Sequence, residues 1–273
     1  MTGMNRQNSG LAAAFSMAEV IYHAAVRSIR KSHGNAFIGL ILNIVQTVLL
    51  VAVFYAVFSF FDIRGAAIRG DFLLYIMTGI FLFMCHIKAV AAVLGAEGPT
   101  SPMMKHAPMN IIVTISAAAL GSLYIQVLSL VVVLFIYHVG FTPITIYDPV
   151  GAMAMMLVAW FSGAGIGVVF MALKPWMPDL VQVSSQIYMR ANMVASGKMF
   201  VANNLPSTML VLFTWNPLFH AIDQARGYTF INYTPMHSSA MYPFYFGLAC
   251  LVLGLMGTFF TRQRASISWQ GRR

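Results

Sequence analysis

Five stretches of this chain run for about twenty residues or more with scarcely a charge, and nothing else in it constrains the fold so strongly. The first covers Phe37 to Phe61, FIGLILNIVQTVLLVAVFYAVFSFF. At ~1.5 Å per residue such a helix crosses ~30 Å of hydrocarbon. The others run from Phe72 to Leu94, Ile111 to Val139, Val150 to Leu173 and Pro243 to Phe260. Only 8% of the 273 residues are charged and 59% are hydrophobic. A soluble domain carries about 25% charged residues, so this composition cannot cover a soluble globule. A mean hydropathy of +0.78 also excludes disorder. The expectation is an all-α integral membrane protein.

Between Asp179 and Ala225 the signal is mixed. LVQVSSQIYMRANMVA has helical length but carries Gln182, Ser184, Ser185, Gln186, Arg190 and Asn192. A helix this polar survives in a membrane only where its polar face meets protein or water. A shorter apolar piece follows Pro206. The pattern predicts one polar span and then a segment that re-enters, or lies at the far surface, before the last span. That makes six crossings, with both termini on one side. The net charge of +9 sets the orientation. Eleven basic residues fall on the side of the termini: Arg6, Arg27, Arg30, Lys31, Lys88, Lys105, Lys174, Arg262, Arg264, Arg272 and Arg273. Four fall opposite, Arg64, Arg69, Lys198 and Arg226, with Arg190 inside a span. The positive-inside rule then puts both termini in the cytoplasm. The excess of positive charge needs no nucleic acid to explain it.

Three organisational units are expected. Residues 1–36 hold a polar tail and an amphipathic helix from about Ala14 to His33. Its apolar line is Phe15, Ala18, Tyr22, Val26 and Ile29, with His23, Arg27, Arg30 and Lys31 mainly on the other side. Such a helix lies along the cytoplasmic membrane face, either anchoring the first span or packing on a partner. Residues 37–262 form the membrane domain, and 263–273 a basic tail. The first ten residues are polar, so no cleaved signal peptide is expected. The loop GAEGPTSPMMKHAPMN, Gly95 to Asn110, is long for a helix connection of about 2–8 residues. Its turn formers leave room for a short surface helix, and it is the first candidate for a partner contact. GAGIG, Gly163 to Gly167, sits inside a span with no strand before it. It reads as close helix packing, not as a phosphate loop.

The chemistry of catalysis is missing from the sequence. A nucleotide-binding loop would need Gly at Asn192 and Ser or Thr at Met199 around Gly197-Lys198. Cys85 and Cys250 lie in different apolar runs, which excludes a CxxC motif. No metal-binding HExxH occurs, and no span has a central Asp or Glu for ion coupling. Asp62, Asp71 and Asp148 fall at span ends, and His86 and His138 read as structural histidines near membrane edges. Gln182, Gln186, Arg190 and Asn192 can bind hydroxyl-rich or anionic cargo, or can satisfy one another between helices.

The stretch Ser196 to Arg226, SGKMFVANNLPSTMLVLFTWNPLFHAIDQAR, resembles the late segment of type-2 ABC exporter permeases for capsular polysaccharide and O-antigen. The resemblance rests on Ser196 and Gly197, then Leu205 and Pro206, then Asn216, Pro217, Leu218, His220, Asp223 and Arg226 in order. The entry to the first span departs from that family, having neither its Trp nor its Pro. The resemblance implies a permease subunit with no ATPase site of its own, and ATP and magnesium bound by a separate ABC ATPase subunit. It implies a homodimer in the bacterial inner membrane that threads a lipid-linked glycan outward. Glu97, Lys105 and His106, with Arg27, Arg30 and Lys31, would then contact the ATPase. Gln182, Gln186, Arg190 and Asn192 would line the path. Ser196, Gly197, Pro206, Asn216, Pro217, His220, Asp223 and Arg226 would shape its outer mouth. Two alternatives stay open: a drug or lipid permease of the same type, and a membrane-embedded enzyme or assembly factor.

Overall fold

The computed structural model describes residues 10–33, 36–60, 70–96, 98 and 110–270, with backbone alone for 10–15, 28–33, 36 and 264–270. Among these residues the chain forms helices and loops and no strand. The helices are α1 Gly10–His33, α2 Ala36–Phe60, α3 Phe72–Leu94, α4 Ile111–Gly140 and α5 Pro149–Leu173. They continue with α6 Pro178–Ala195, α7 Ser207–Phe213, α8 Pro217–Thr229 and α9 Met241–Gln270. Five helices are long and apolar enough to cross a membrane: α2, α3, α4, α5 and, within α9, Met241–Gln263. The protein is therefore an all-α chain with the character of a multi-pass membrane protein. These five coincide with the five runs read from the sequence. The last runs on as helix to Gln270, through most of the segment expected to be a tail.

Helix starts are written in the sequence. Asp71, Asn110, Asp148 and Asn216 each turn a side-chain oxygen onto free backbone N–H groups at the start of α3, α4, α5 and α8. Donors at a helix start have no partner within the helix, and a short acceptor side chain supplies one. Of the three aspartates placed at span ends, Asp71 and Asp148 are thus caps, and Asp62 lies outside the described residues.

α5 holds the bundle together, packing on α3, α8 and α9. The GAGIG run makes this possible. A Cβ at Gly163 would stand 2.5 Å from the His86 carbonyl oxygen of α3. A Cβ at Gly165 would stand 2.5 Å from the Gly247 carbonyl oxygen of α9. At Gly167 it would meet Val93 at 2.8 Å. Small residues bring backbones into contact where lipid offers no hydrophobic drive for association. The largest apolar core joins α2, α3, α4, α5 and α8 through residues such as Phe54, Ile80, Val133, Met156 and Ile222.

α1 packs on α4 and α2. Ile21, Ala24, Ala25 and Val26 are half-buried, whereas Ala18 and Tyr22 of the expected apolar line are exposed. Two alanines let the helices approach, so contact falls beside the larger side chains. His86 also departs from expectation. It lies well inside α3 and is fully buried, not at a membrane edge. Its Nδ1 is 2.9 Å from the Ala159 carbonyl oxygen and its Nε2 2.8 Å from the Tyr188 hydroxyl. The carbonyl needs a donor, so Nδ1 carries the proton and Nε2 accepts from Tyr188. His86 thus ties α3 to α5 and α6. His138, in the last turn of α4, accepts from the Ile144 N–H at 2.9 Å, as a structural histidine near an edge should.

Candidate functional site

α8 is short and unusually buried for a helix carrying charge. Asn216 precedes Pro217, whose missing N–H costs nothing in a first turn. Asn216 Oδ1 accepts from the Leu218 N–H at 3.0 Å. Its Nδ2 donates to Asn192 Oδ1 and to the Ala195 carbonyl oxygen, both at 2.9 Å. One side chain thus starts α8 and fastens it to the end of α6. His220 Nε2 donates to the Thr214 carbonyl oxygen at 2.7 Å, and its Nδ1 accepts from the Ser239 N–H at 3.0 Å. Both bonds require the neutral ring, and burial holds its pKa below the usual histidine value.

Asp223 and Arg226 are 2% and 1% exposed, yet they are not an ion pair. The one contact within 4 Å between an acidic and a basic side chain among the described residues is Glu19 with His23 on α1, at 3.9 Å. Asp223 accepts from the Tyr233 hydroxyl and, at 2.6 Å, from Ser238 Oγ. Burial first, and then the Asp223 carboxylate, push the Tyr233 phenol well up, so it stays a donor. Arg226 Nη1 donates to the carbonyl oxygens of Gly197 (2.9 Å) and Phe200 (2.7 Å). Its Nη2 donates to that of Lys198 at 2.8 Å. The guanidinium also lies over the Tyr75 ring, 4.2 Å from its centroid. Charge-assisted hydrogen bonds of this kind contribute about 1.5–3 kcal/mol each, which is what makes burial of the two charges tolerable.

The loop that Arg226 grips could not be built without Gly197. Its φ is +77°, and a Cβ there would stand 2.8 Å from the Phe219 ring. The left-handed conformation costs about 1–2 kcal/mol for any other residue. The three gripped carbonyls fix the next side chain, Lys198, which is 3% exposed. Its Cα and Cβ pack where Gly79 of α3 has no side chain. Its Nζ lies 3.4 Å from the Phe83 centroid and 5.0 Å from that of Phe54 on α2. Among the described residues Nζ has no hydrogen-bond partner. Cation–π attraction supplies about 0.5–2 kcal/mol, whereas an unpaired buried charge costs several kcal/mol. Desolvation wins, and burial pushes the Lys198 ammonium down to about 7.

The residues expected to line a path divide. Asn192 is 3% exposed and is used up in the contact with Asn216. Gln182, Gln186 and Arg190 are exposed and fall four residues apart on one side of α6. Beside them, also exposed, are Leu180, Val183, Ile187 and Val194. The outer face of α6 therefore carries a polar stripe next to an apolar one, and α6 packs lightly on α5 and α3, with the Asn192–Asn216 contact at its end. The expected outer-mouth residues come together around α8: Ser196, Gly197, Asn216, Pro217, His220, Asp223 and Arg226 are all buried. Pro206 is exposed and precedes α7. Of the expected coupling residues, Arg27 is exposed on α1. Arg30 and Lys31 belong to the α1 backbone, their side chains lying outside the described residues. Glu97, Lys105 and His106, with the expected surface helix around them, also lie outside the described residues.

Sequence reasoning missed three features. Asn43, Gln126 and Ser129 hydrogen-bond between α2 and α4, with Asn43 Nδ2 to Ser129 Oγ at 2.8 Å and Gln126 Nε2 to Asn43 Oδ1 at 3.0 Å. Lone amides in apolar runs are a usable signal for such helix-joining bonds. Tyr233 and Ser238 lie in a loop whose spacing gives no hint of Asp223. Lys198 counted as a loop charge because nothing in the sequence foretells its burial. Comparison of the sequence with protein-family models and with curated proteins finds no match to either.

Proposed function

We propose that this chain is the membrane permease subunit of an ATP-driven exporter that moves a glycan, a lipid-linked polymer of the capsular or O-antigen kind, across a bacterial inner membrane. The carrying observation is the exposed stripe Gln182–Gln186–Arg190 on α6. Eighteen residues at ~1.5 Å each give α6 a length of ~27 Å, close to the hydrocarbon thickness. Its Tyr188 meets His86 deep in α3, and the loop after it meets Gly79 nearer the start of α3. This register supports α6 as a sixth crossing, antiparallel to α3, with both termini in the cytoplasm. A polar stripe at that depth needs protein or water, never lipid. A second copy of the chain, with a hydrated path between the two, supplies both. The exposed apolar α7 residues Met209, Val211 and Leu212 suit the expected segment that dips into the far leaflet.

The sequence has no nucleotide-binding loop, so the engine is a separate ABC ATPase. α1 and the loop 95–110 are its docking surface in this reading. Purification of the tagged chain from its native host in mild detergent, with mass spectrometry of what accompanies it, tests this. A stoichiometric ATPase with a nucleotide-binding loop is the expected result, together with loss of a surface glycan in a deletion strain. A folded, abundant chain without an ATPase in several detergents would overturn the exporter reading in favour of an enzyme or assembly factor.

A further inference from the structure

One face of α3 carries Tyr75, Gly79 and Phe83 at four-residue intervals, and a cation lies against each ring. Arg226 covers Tyr75, and its hydrogen-bonding groups at Nη1 and Nη2 are spent on three carbonyls. Lys198 sits at Gly79 and extends its Nζ to Phe83, with Phe54 of α2 also within 5.0 Å. The two cations differ in one respect. Arg226 donates to three backbone oxygens, whereas Lys198 Nζ donates to nothing among the described residues. We propose that Lys198 is a stowed cation at the seam between α2 and α3, and that its charge biases this seam towards an open arrangement in which Nζ reaches water.

The seam is where the fold can yield. α2 has most of its outward surface exposed, including Val45, Val48, Leu49, Val53 and Val57. α3, by contrast, is buried along nearly its whole length. The first half of α2 is tied to α4 through Asn43 and to α3 through Lys88 Nζ, which donates to Gln46 Oε1 at 2.7 Å, so the opening that uncovers the ammonium is a swing of the later half of α2, around Phe54, away from Phe83. The backbone of Lys198 stays fixed by Arg226, so the release is a side-chain and α2 event. No counter-charge offsets the cost of the closed state. α2 contributes only Tyr55 as a titratable group, and that ring faces Phe72. α3 carries Tyr75, Cys85, His86 and Lys88, the last a second cation at this seam that donates to Gln46 Oε1; α6 carries Asp179, Tyr188 and Arg190; and α8 carries His220, Asp223, Arg226 and Tyr228. Asp223 is already committed to Tyr233 and Ser238. Because the closed seam holds the amine near pH 7 and water would leave it at its ordinary value of 10.5, protons favour the open seam between those limits.

The test needs neither ATPase nor cargo, so its outcome is independent of the exporter reading. Spin labels go on Val57→Cys of α2 and on Ile231→Cys after α8, both exposed, in a Cys250→Ala background. Labelled full-length chain is diluted into unlabelled chain in lipid nanodiscs, and the distance distribution is read by pulsed electron resonance. The expected wild-type distribution has a longer-distance population at pH 7 that disappears as the pH is raised to 10. Lys198→Met keeps the length without the charge and is expected to lose that population at every pH. Lys198→Arg is expected to keep it at every pH. Should Arg fail to fit between the rings, the wild-type pH series and Lys198→Met carry the test alone. A longer-distance population that grows in Lys198→Met would show that the ammonium holds the seam shut and overturn the proposal. A single distance shared by all variants at all pH values would overturn it as well.

Discussion

α8 and the outer face of α6 both carry polar and charged side chains in a chain that is otherwise mostly apolar, and they treat them in opposite ways. Around α8 nearly every polar atom has a partner: Asp223 has two hydroxyls, Arg226 three carbonyls, His220 one donor and one acceptor, and Asn216 three bonds. On α6 the side chains of Gln182, Gln186 and Arg190 stay exposed. The first arrangement spends polarity on making one structure. The second leaves polarity unspent on a surface, where it can act on something outside the chain. The stretch from Ser196 to Arg226 is thus scaffold, and on the proposed function the stripe beside it is the working face.

Substitutions in the scaffold should therefore have the largest effect on stability. Arg226→Met keeps much of the side-chain volume and removes every donor. The carbonyls of Gly197, Lys198 and Phe200 lose their partners, and each buried acceptor left unsatisfied costs about 1–3 kcal/mol. The check is thermal unfolding in detergent alongside the yield of monodisperse protein. An unchanged midpoint would mean that the framework is held by packing alone. Gly163→Ala comes next. Its methyl would sit 2.5 Å from the His86 carbonyl oxygen, so α3 and α5 must part. Overpacking of this kind costs about 1–3 kcal/mol. Gly165→Ala should cost a similar amount by parting α5 from α9, and a neutral result for both would refute the glycine seam.

His220 is bound in its neutral form, and its pKa in the folded chain lies below the ordinary 6.5. Its contribution is fully present above about pH 6.5 and is lost as the pH falls through the lower folded value. Wild-type stability should fall in that acid window, and His220→Gln should be less stable at neutral pH but show a shallower acid slope. Equal slopes would assign the acid sensitivity to other groups.

The legibility of this chain follows the range of the forces involved. The five spans were readable because apolar length acts locally; the caps Asp71, Asn110 and Asp148 rest on equally local contacts, but from the sequence the two aspartates were legible only as residues at span ends. The GAGIG seam was readable because a run of glycine inside a span has little other use. The partners of Asp223 and the cage of Lys198 were not. They depend on side chains brought together across long stretches of sequence, such as Lys198 against Phe54 and Phe83. The stripe on α6 was half readable. Period four put Gln182, Gln186 and Arg190 on one side, but only the fold shows Asn192 withdrawn from them into the contact with Asn216.

The smallest expected change in stability belongs to Arg190→Ala, and it is the most discriminating. Arg190 is exposed, and substitutions at such positions usually stay within about 0.5 kcal/mol. The unfolding midpoint should therefore match wild type, and on the proposed function co-purification with an ATPase should match it too, while surface glycan falls. Gln182→Ala and Gln186→Ala, on the same stripe, should act in the same direction. A loss of folding would place Arg190 among the scaffold residues and erase the distinction between the two regions. Normal stability with normal export would leave the distinction intact and move the path off this stripe. Only the combination of intact assembly and failed export identifies the exposed polarity of α6 with the route of the cargo.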